Sequence, residues 1–372
     1  MTSQSHMLPA YARVDLAFER GEGVWLTATN GDCYLDFASG VAVNALGHSH
    51  PAVVAAITEQ AQKVIHVSNL YRIPEGERLA DRLCAMTFAD KVFFGNSGAE
   101  AMEGVIKMVR KYQSASGHPE RYRIISFEGS FHGRTLATLA AAKNKKHLDG
   151  FGPPMDGFDQ VPLGDLKALK LAITPETAGI VIEPVQGEGG VRSTPPQFFR
   201  ELRQICDEHG LLLAFDEVQT GIGRLGEMFG YQKLGVTPDV MGLAKGLGAG
   251  FPIGAVLDEV TKPGFLEHVR DIALLFKQRL AEIKDRHPTV ISEVRGEGLL
   301  IGLKCEVPNN EVIDAFRAEK LLAVGAGDNV ARLVPSLIVT EAEVAEAIAR
   351  VDRACAAIER ARQGAKAQGA AG

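Results

Sequence analysis

The sequence predicts an α/β protein with a large domain built on a mostly parallel sheet and a smaller α+β domain. From about residue 90 to residue 262, short Val, Ile and Leu runs alternate with segments of helical periodicity. This alternation is typical of parallel strands joined by helices. From about Phe265 the pattern changes to long helices and strand pairs, and 372 residues are too many for one small domain.

The N-terminal part predicts a strand pair and then a helix. GVWLTATNGDCYLDFASG has β character on both sides of a turn at Asn30-Gly31-Asp32. PAVVAAITEQAQKVI has helical spacing, and Pro51 suits its first turn. We expect the N-terminal strands to join the smaller domain. Residues 1–52 and 263–372 then form the small domain and residues 53–262 the large domain.

The central part predicts the parallel sheet. KVFF predicts a strand, followed by a helix whose apolar face carries Met102, Val105, Ile106, Val109 and Tyr112. Further strands are predicted at RYRIISF, AGIVIEPV, LLLAFDEV and PDVMGLAK, with helices at TLATLAAAKNK and FFRELRQICDEHG. Ligand sites in such sheets lie beyond the carboxyl ends of the strands. Polar clusters follow these strands at Asn96-Ser97-Gly98, His132-Gly133-Arg134, Glu183 and Asp216-Glu217.

The C-terminal part predicts the smaller domain. FLEHVRDIALLFKQRLAEIKDRH predicts a long amphipathic helix, VISEVRGEGLLIGLKCE strands, EVIDAFRAEKLLA a helix and ARLVPSLIV a strand. EAEVAEAIARVDRACAAIERAR predicts a closing helix, and QGAKAQGAAG predicts a frayed tail.

Composition excludes several classes of protein. The net charge of −6 gives no basic field for nucleic acid or an anionic membrane. No apolar stretch approaches the roughly 20 residues that span a bilayer, and the N-terminus has no signal-peptide pattern. The five cysteines are far apart and include no CxxC pair, so reduced thiols in the cytoplasm are the expectation. No metal-ligand cluster is present, and a metal or nucleotide site is disfavoured.

Three stretches carry chemistry. NSGAEA combines Ser97 and Glu100 in capping-box spacing, and the free N–H groups of such a helix start bind anions, although any helix can begin this way. Asp216 ends an apolar strand and needs a partner, either a cationic ring nitrogen or an ordinary salt bridge or cap. Lys245 lies in MGLAKGLGAGFPIGA, where desolvation would make its amine nucleophilic unless its tip reaches solvent. An anion site, a ring-nitrogen carboxylate and an imine-forming lysine are what pyridoxal 5′-phosphate requires.

The chain resembles the class III aminotransferases, and within them the acetylornithine aminotransferases. The resemblance runs from about Tyr11 to Ile358 and includes LDFASGVAVNALGHSHP, FFGNSGAEAMEGVIK, FEGSFHGRTLA, IEPVQGEGGV, LLLAFDEVQTGIGRLGEMFG, LAKGLGAGFPIGA, EVRGEGLLIGL and RLVPSLIVT. It implies the pyridoxal-phosphate-dependent transferase fold of type I, a homodimer, and an amino acid and a 2-oxo acid as substrates.

The resemblance also implies roles for single residues. Ser97, Gly98 and Ala99 would hold the phosphate, Phe131 would stack on the pyridine ring, and Gln219 would reach its phenolic oxygen. Asp216 would pair with the ring nitrogen, and Lys245 would bond to the cofactor and shuttle a proton. Arg134 would bind the carboxylate of an N-acylated substrate, and Arg332 a carboxylate of 2-oxoglutarate or glutamate, with Glu188 pairing with Arg332 when the amine donor is bound. A surface ion pair is the alternative for Arg134 and Arg332, and Glu183 is either structural or part of the same wall.

The chain departs from the family pattern after Leu257. The family continues with a helix, a Thr-rich and Gly-rich stretch, and the start of a linking helix, whereas here GAVL runs directly into DEVTKPGFLEHV. In the family, a threonine of this segment contacts the cofactor phosphate of the neighbouring subunit.

We therefore expect transfer of the δ-amino group of N2-acetylornithine to 2-oxoglutarate, in arginine biosynthesis. N-succinyl-diaminopimelate, succinylornithine, ornithine and 4-aminobutyrate are alternative donors. A truncated, poorly active homologue is the alternative of another class.

Overall fold

The computed structural model describes residues 6–250 and 253–369. Within these residues the strands are β1 Phe18–Glu22, β2 Trp25–Ala28, β3 Cys33–Asp36, β4 Arg123–Phe127, β5 Phe158–Val161, β6 Thr177–Ile182, β7 Val185–Gln186, β8 Arg192–Ser193, β9 Leu212–Asp216, β10 Val240–Gly242, β11 Ile291–Glu297, β12 Leu300–Cys305, β13 Leu321–Leu322, β14 Val324–Ala326 and β15 Val330–Leu333. The helices are α1 Ser39–Ala42, α2 Pro51–Ala61, α3 Pro74–Met86, α4 Gly98–Ala115, α5 Leu136–Ala142, α6 Lys145–Leu148, α7 Leu166–Ala172, α8 Pro196–His209, α9 Gly230–Leu234, α10 Ile253–Val260, α11 Phe265–Arg286, α12 Asn309–Ala318 and α13 Glu341–Gly369, with a 3-10 helix at Lys245–Leu247.

The central sheet has five parallel strands in the order β10-β9-β6-β4-β5. Successive side chains of a strand point to opposite faces of the sheet. Ile124 of β4 accordingly packs in the core under α4 and α5, whereas its neighbour Ile125 packs in the core on the other face. Since all five strands run in one direction, their carboxyl ends lie at one edge, as the sequence predicts.

Two four-stranded sheets accompany the central sheet. One joins β1, β2 and β3 to β13, so the N-terminal strands pair with a strand from the C-terminal part. The other is antiparallel in the order β11-β12-β15-β14. A continuous core connects them and includes Phe37, Phe276, Leu303 and Phe316. We retain the division into residues 53–262 and the remainder as a proposal, which the β3–β13 pairing supports.

Two local predictions are wrong. KVFF forms no strand: β10 is the edge strand of the central sheet, and Phe93 lies with 73% of its surface exposed. Tyr112 is exposed although Met102, Val105, Ile106 and Val109 of the same predicted face are buried. Gln113 takes the buried position in the last turn of α4, where its amide donates to the carbonyls of Ala178 and Gly210.

The predicted C-terminal tail is helical for most of its length, since α13 continues to Gly369. Residues 370–372 of that tail lie outside the described residues, as do residues 1–5 of the predicted N-terminus and residues 251–252 before the predicted gap. No helix in the described part of the chain is long and apolar enough to span a membrane.

Candidate active site

A cavity of about 2310 Å³ lies at the carboxyl edge of the central sheet. It brings together every site residue that the sequence predicts: Ser97, Gly98, Ala99, Phe131, Arg134, Glu188, Asp216, Gln219, Lys245 and Arg332. The first and last of these are separated by more than 200 positions in the sequence. Folding of the parallel sheet and of β15 against it is what makes them neighbours.

The N-terminus of α4 forms the floor of the cavity. Ser97 caps the helix, since its hydroxyl accepts a hydrogen bond from the N–H of Glu100 at 3.2 Å. The Glu100 carboxylate folds back and accepts from the N–H of Asn96 at 2.8 Å. The Ser97 cap is therefore formed, with Glu100 bonded to the N–H of the residue before the cap. The first N–H groups of the helix, at Gly98 and Ala99, are those that a helix leaves without internal partners. A Cβ on Gly98 would lie 2.9 Å from Val218, so only glycine lets α4 approach this wall.

Asp216 is buried at the end of β9 and bound from two sides. Its Oδ2 lies 2.7 Å from Nδ1 of His132, and its Oδ1 accepts from the N–H of Val218 at 3.0 Å. Burial tends to lower the pKa of His132, but the hydrogen bond and the negative charge of Asp216 outweigh burial, and the pKa is raised. The hydrogen bond to His132 thus fixes the Asp216 carboxylate. The sequence predicts that His132 follows a strand but indicates no role for it.

Lys245 opens the 3-10 helix after β10 with a left-handed φ of 42°. Burial lowers the pKa of its ammonium, and the carboxylates of Glu188 and Asp216 offset part of that effect. Nothing in residues 6–250 and 253–369 accepts a hydrogen bond from its Nζ. An amine in this state is a stronger nucleophile at neutral pH than a solvated lysine.

The arginine of β15 is held by two side chains from other parts of the chain. Arg332 is only 1% exposed, and it donates to Oε1 of Gln219 at 2.8 Å and to Oε1 of Glu188 at 2.7 Å. Its Nε is buried and has no hydrogen-bond partner among the described residues. Arg332 is therefore a buried cation, and the alternative of a surface ion pair does not describe it.

Arg134 and Phe131 lie nearer the mouth of the cavity. The Arg134 guanidinium is exposed and lies 5.2 Å from the ring centroid of Tyr11, a cation–π contact. The Phe131 ring meets His147 edge-on at 6.1 Å. Tyr11 and His147 also line the cavity, and the sequence did not single them out, because neither lies next to a predicted strand end.

Two further buried carboxyl groups flank Asp216. Glu217 accepts from the N–H groups of Gly230 and Tyr231 at 2.5 and 2.7 Å, so it caps α9. Burial raises the pKa of Glu217 to about 7. Glu183 lines the cavity and accepts from the N–H of Phe131 at 3.2 Å. Burial raises the pKa of Glu183 to about 8; His132 opposes this rise and Asp216 adds to it.

We expect Glu183→Gln to flatten the pH dependence of stability. The folded-state pKa lies above the unfolded value, so the folded protein holds a proton that the unfolded chain releases. Protonation of Glu183 therefore makes its full contribution to the free energy of unfolding below the unfolded pKa. This contribution is lost as the pH rises towards 8. At about 1.4 kcal/mol per pH unit, the free energy of unfolding should fall by about 2–3 kcal/mol more in the parent than in the variant between about pH 5.5 and about pH 7.5.

Urea denaturation at the two pH values measures this difference. Glu208→Gln, an exposed position on α8, is the matched control and should follow the parent. Equal slopes for Glu183→Gln and the parent would mean that Glu183 is already ionised at neutral pH.

A model of the class III aminotransferase family matches residues 7–260 and 253–355, nearly the whole chain. The chain belongs to the class III aminotransferases. Its curated relatives include acetylornithine aminotransferase 1 of Bradyrhizobium diazoefficiens, 62% identical over 385 aligned positions that cover 95% of each chain. Acetylornithine aminotransferase of Agrobacterium fabrum is 56% identical over 384 positions, covering 95% of this chain and 96% of the relative.

Solved aminotransferase structures share the fold. N-acetylornithine aminotransferase from Stenotrophomonas maltophilia superposes with a TM-score of 0.84 at 35% identity, over 94% of this chain and 98% of that one. A pyridoxal-phosphate-bound amine transaminase from an uncultivated Pseudomonas species gives a TM-score of 0.86 at 27% identity, over 96% and 98% of the two chains. The predicted fold class, a type I α/β aminotransferase fold, is confirmed.

The comparisons also bear on the predicted gap. The alignment with the Bradyrhizobium aminotransferase has 385 positions, more than the 372 residues of this chain, so the relative contains residues without a counterpart here. The family model matches in two parts that overlap at residues 253–260, where the sequence departs from the family pattern. Both findings agree with a segment missing near Leu257.

Proposed function

We propose that this aminotransferase uses pyridoxal 5′-phosphate to transfer the δ-amino group of N2-acetylornithine to 2-oxoglutarate, a step of arginine biosynthesis. The observation that carries the proposal is the convergence of the α4 N-terminus, Asp216 and Lys245 on one cavity. The two acetylornithine aminotransferases compared above, at 62% and 56% identity, support the choice of substrate.

The residues present fit the cofactor. The N–H groups of Gly98 and Ala99 and the hydroxyl of Ser97 suit a phosphate, because a helix N-terminus attracts anions. The buried Asp216 carboxylate suits a protonated ring nitrogen, Phe131 suits one face of the ring, and Gln219 suits its phenolic oxygen. Oε1 of Gln219 accepts from Arg332, which leaves its NH₂ group to donate.

The cofactor, when bound, supplies an aldehyde that takes up amino groups and a ring that draws electrons from the substrate carbon carrying nitrogen. Lys245 provides the amine that holds the aldehyde and then moves a proton at that substrate carbon. Asp216, oriented by His132, keeps the ring nitrogen protonated.

Two arginines serve two substrate shapes. Arg134, at the mouth, would bind the α-carboxylate of acetylornithine, since a guanidinium matches a carboxylate bidentately. Arg332 would bind the distal carboxylate of 2-oxoglutarate or glutamate once Glu188 releases it. The 2.7 Å Glu188–Arg332 ion pair is the state suited to the amine donor, which has no carboxylate at that end.

A homodimer completes the proposal. Several large apolar side chains around the open side of the cavity are exposed in the single chain, among them Val64, Ile65, Phe93 and Met108. Patches of this kind mark interfaces in soluble proteins.

We also propose a cytoplasmic location, which the five free cysteines support.

An amine-donor panel tests the substrate. The account expects N2-acetylornithine to have the highest kcat/KM among acetylornithine, succinylornithine, N-succinyl-diaminopimelate, ornithine and 4-aminobutyrate, with 2-oxoglutarate as acceptor. A rank near the bottom for acetylornithine would overturn the assignment and leave only the aminotransferase chemistry.

The predicted gap supports a second candidate, a homologue that folds but turns over slowly. Inserting the segment that the Bradyrhizobium aminotransferase carries at this point should then tighten cofactor binding roughly 10–100-fold, since one hydrogen bond to a charged group is worth about 1.5–3 kcal/mol. Equilibrium titration with pyridoxal phosphate measures the change. A flexible Gly/Ser insert of equal length is the control, and equal affinities for both inserts would count against this candidate.

A further inference from the structure

The loop that carries Glu188 is packed on three sides. Residues 187–191 join β7 to β8 and contain three glycines. A Cβ on Gly187 would overlap Gln219, and one on Gly189 would overlap the carbonyl of Gly129. A Cβ on Gly190 would lie 2.7 Å from the carbonyl oxygen of Gly327. The backbone of this loop therefore has no free space towards any of these neighbours.

The same loop is fastened to the strands that carry Arg332. The N–H of Gly327, in the turn between β14 and β15, donates to the carbonyl of Glu188 at 2.7 Å. Val185 and Val191, on either side of the loop, pack in a small core with Leu300 and Val330. The backbone of the Glu188 loop is thus joined to the strands around Arg332 by a hydrogen bond and a shared core.

Arg295 joins the Glu188 loop to the turn between β14 and β15 from outside the cavity. Its Nη1 donates to the carbonyl of Gly190 at 3.2 Å and to Oδ2 of Asp328 at 2.8 Å. Asp328 also pairs with Lys304 at 2.5 Å. Arg295 belongs to the EVRGEG motif, which the proposed function leaves without a role, and it does not line the cavity.

We infer that Arg295 is a positioning residue, which holds the Glu188 loop beside Arg332 and so favours the closed Glu188–Arg332 ion pair. The inference rests on the proposed function. Arg332 is held by Gln219 as well as Glu188 and is buried, so it stays in place. The Glu188 side chain is 31% exposed and is the member of the pair with room to turn.

The contacts of Arg295 and Gly327 that hold the Glu188 loop, here called the clamp, affect the choice of substrate. Holding the loop next to Arg332 favours the closed pair, which suits a donor without a distal carboxylate and competes with the distal carboxylate of glutamate. Loosening the loop weakens this competition. Glutamate should therefore gain as an amine donor relative to acetylornithine.

Arg295→Met and Asp328→Asn test the inference. Single-turnover half-reactions should show the ratio of kcat/KM for glutamate to kcat/KM for acetylornithine rising roughly three- to tenfold, the size of effect expected for residues that modulate coupling without touching a ligand. Arg295→Lys, which keeps the charge, should recover part of the parent ratio. Arg362→Met, which removes an exposed arginine paired with Glu311, is the control and should leave the ratio unchanged.

A second readout does not depend on turnover. Amide hydrogen exchange in residues 187–191 should be faster in Arg295→Met than in the parent and in Arg362→Met. Unchanged exchange, or equal losses for both donors at a constant ratio, would overturn the role of Arg295. If the parent reacts with no amine donor, the proposed function fails, and the exchange experiment still decides whether the clamp exists.

Discussion

Lys245→Ala is expected to abolish the visible absorbance of bound cofactor and to lower aminotransferase activity at least about a thousandfold. The variant loses both the amine that holds the aldehyde and the group that moves the proton. Proton transfer by a positioned side chain alone contributes about 10²–10⁴-fold. Spectra after addition of pyridoxal phosphate, together with single-turnover rates, measure both losses.

The control for this variant is Lys233→Ala, because Lys233 pairs with Glu297 outside the cavity. It should keep the absorbance band and the activity. The fold of Lys245→Ala should persist, since no described residue depends on its ammonium for a hydrogen bond. A Lys245→Ala protein with parent-like spectrum and rates would contradict the assignment of the covalent lysine.

Asp216→Asn is expected to lower kcat about 100- to 1,000-fold while leaving the protein folded. The amide is nearly isosteric but carries no charge, so it cannot stabilise a protonated ring nitrogen. Removing one preorganised electrostatic group from an active site costs about this factor. Steady-state kinetics at saturating cofactor separate this loss from weaker cofactor binding.

The same substitution should change His132. Without the Asp216 carboxylate, only the charge of Glu183 still opposes burial, and the pKa of His132 should fall. NMR titration of the His132 ring measures the shift, and Asp207→Asn, an exposed carboxylate on α8, is the control. An unchanged kcat in Asp216→Asn would show that Asp216 serves as a cap or structural ion pair.

The sequence predicts the parts of this site that lie in continuous motifs. Ser97 and Glu100 are three residues apart, so the Ser97 cap is a local property that one helix start determines. Lys245 stands out because its neighbours in the chain are apolar. The carboxyl ends of parallel strands meet at one edge of the sheet, so the sequence predicts that Glu183 and Asp216 lie close together.

Contacts across the fold could not be predicted in this way. His132 and Asp216 are 84 positions apart, and Arg332 and Gln219 are 113 apart. Asp216 and Glu217 are adjacent, yet one faces the cavity and the other caps α9, because successive side chains at a strand end point in opposite directions. KVFF has the composition of a strand but lacks a neighbour with which to pair, and pairing is decided by tertiary structure.

The central claim is that this chain, despite the gap near Leu257, performs both halves of an amino transfer through Lys245. The most direct measurement is the visible spectrum of purified protein with pyridoxal phosphate, recorded before and after addition of N2-acetylornithine and then of 2-oxoglutarate. The account predicts an absorbance band that bleaches with the amine and returns with the 2-oxo acid. A spectrum no different from that of Lys245→Ala would contradict it.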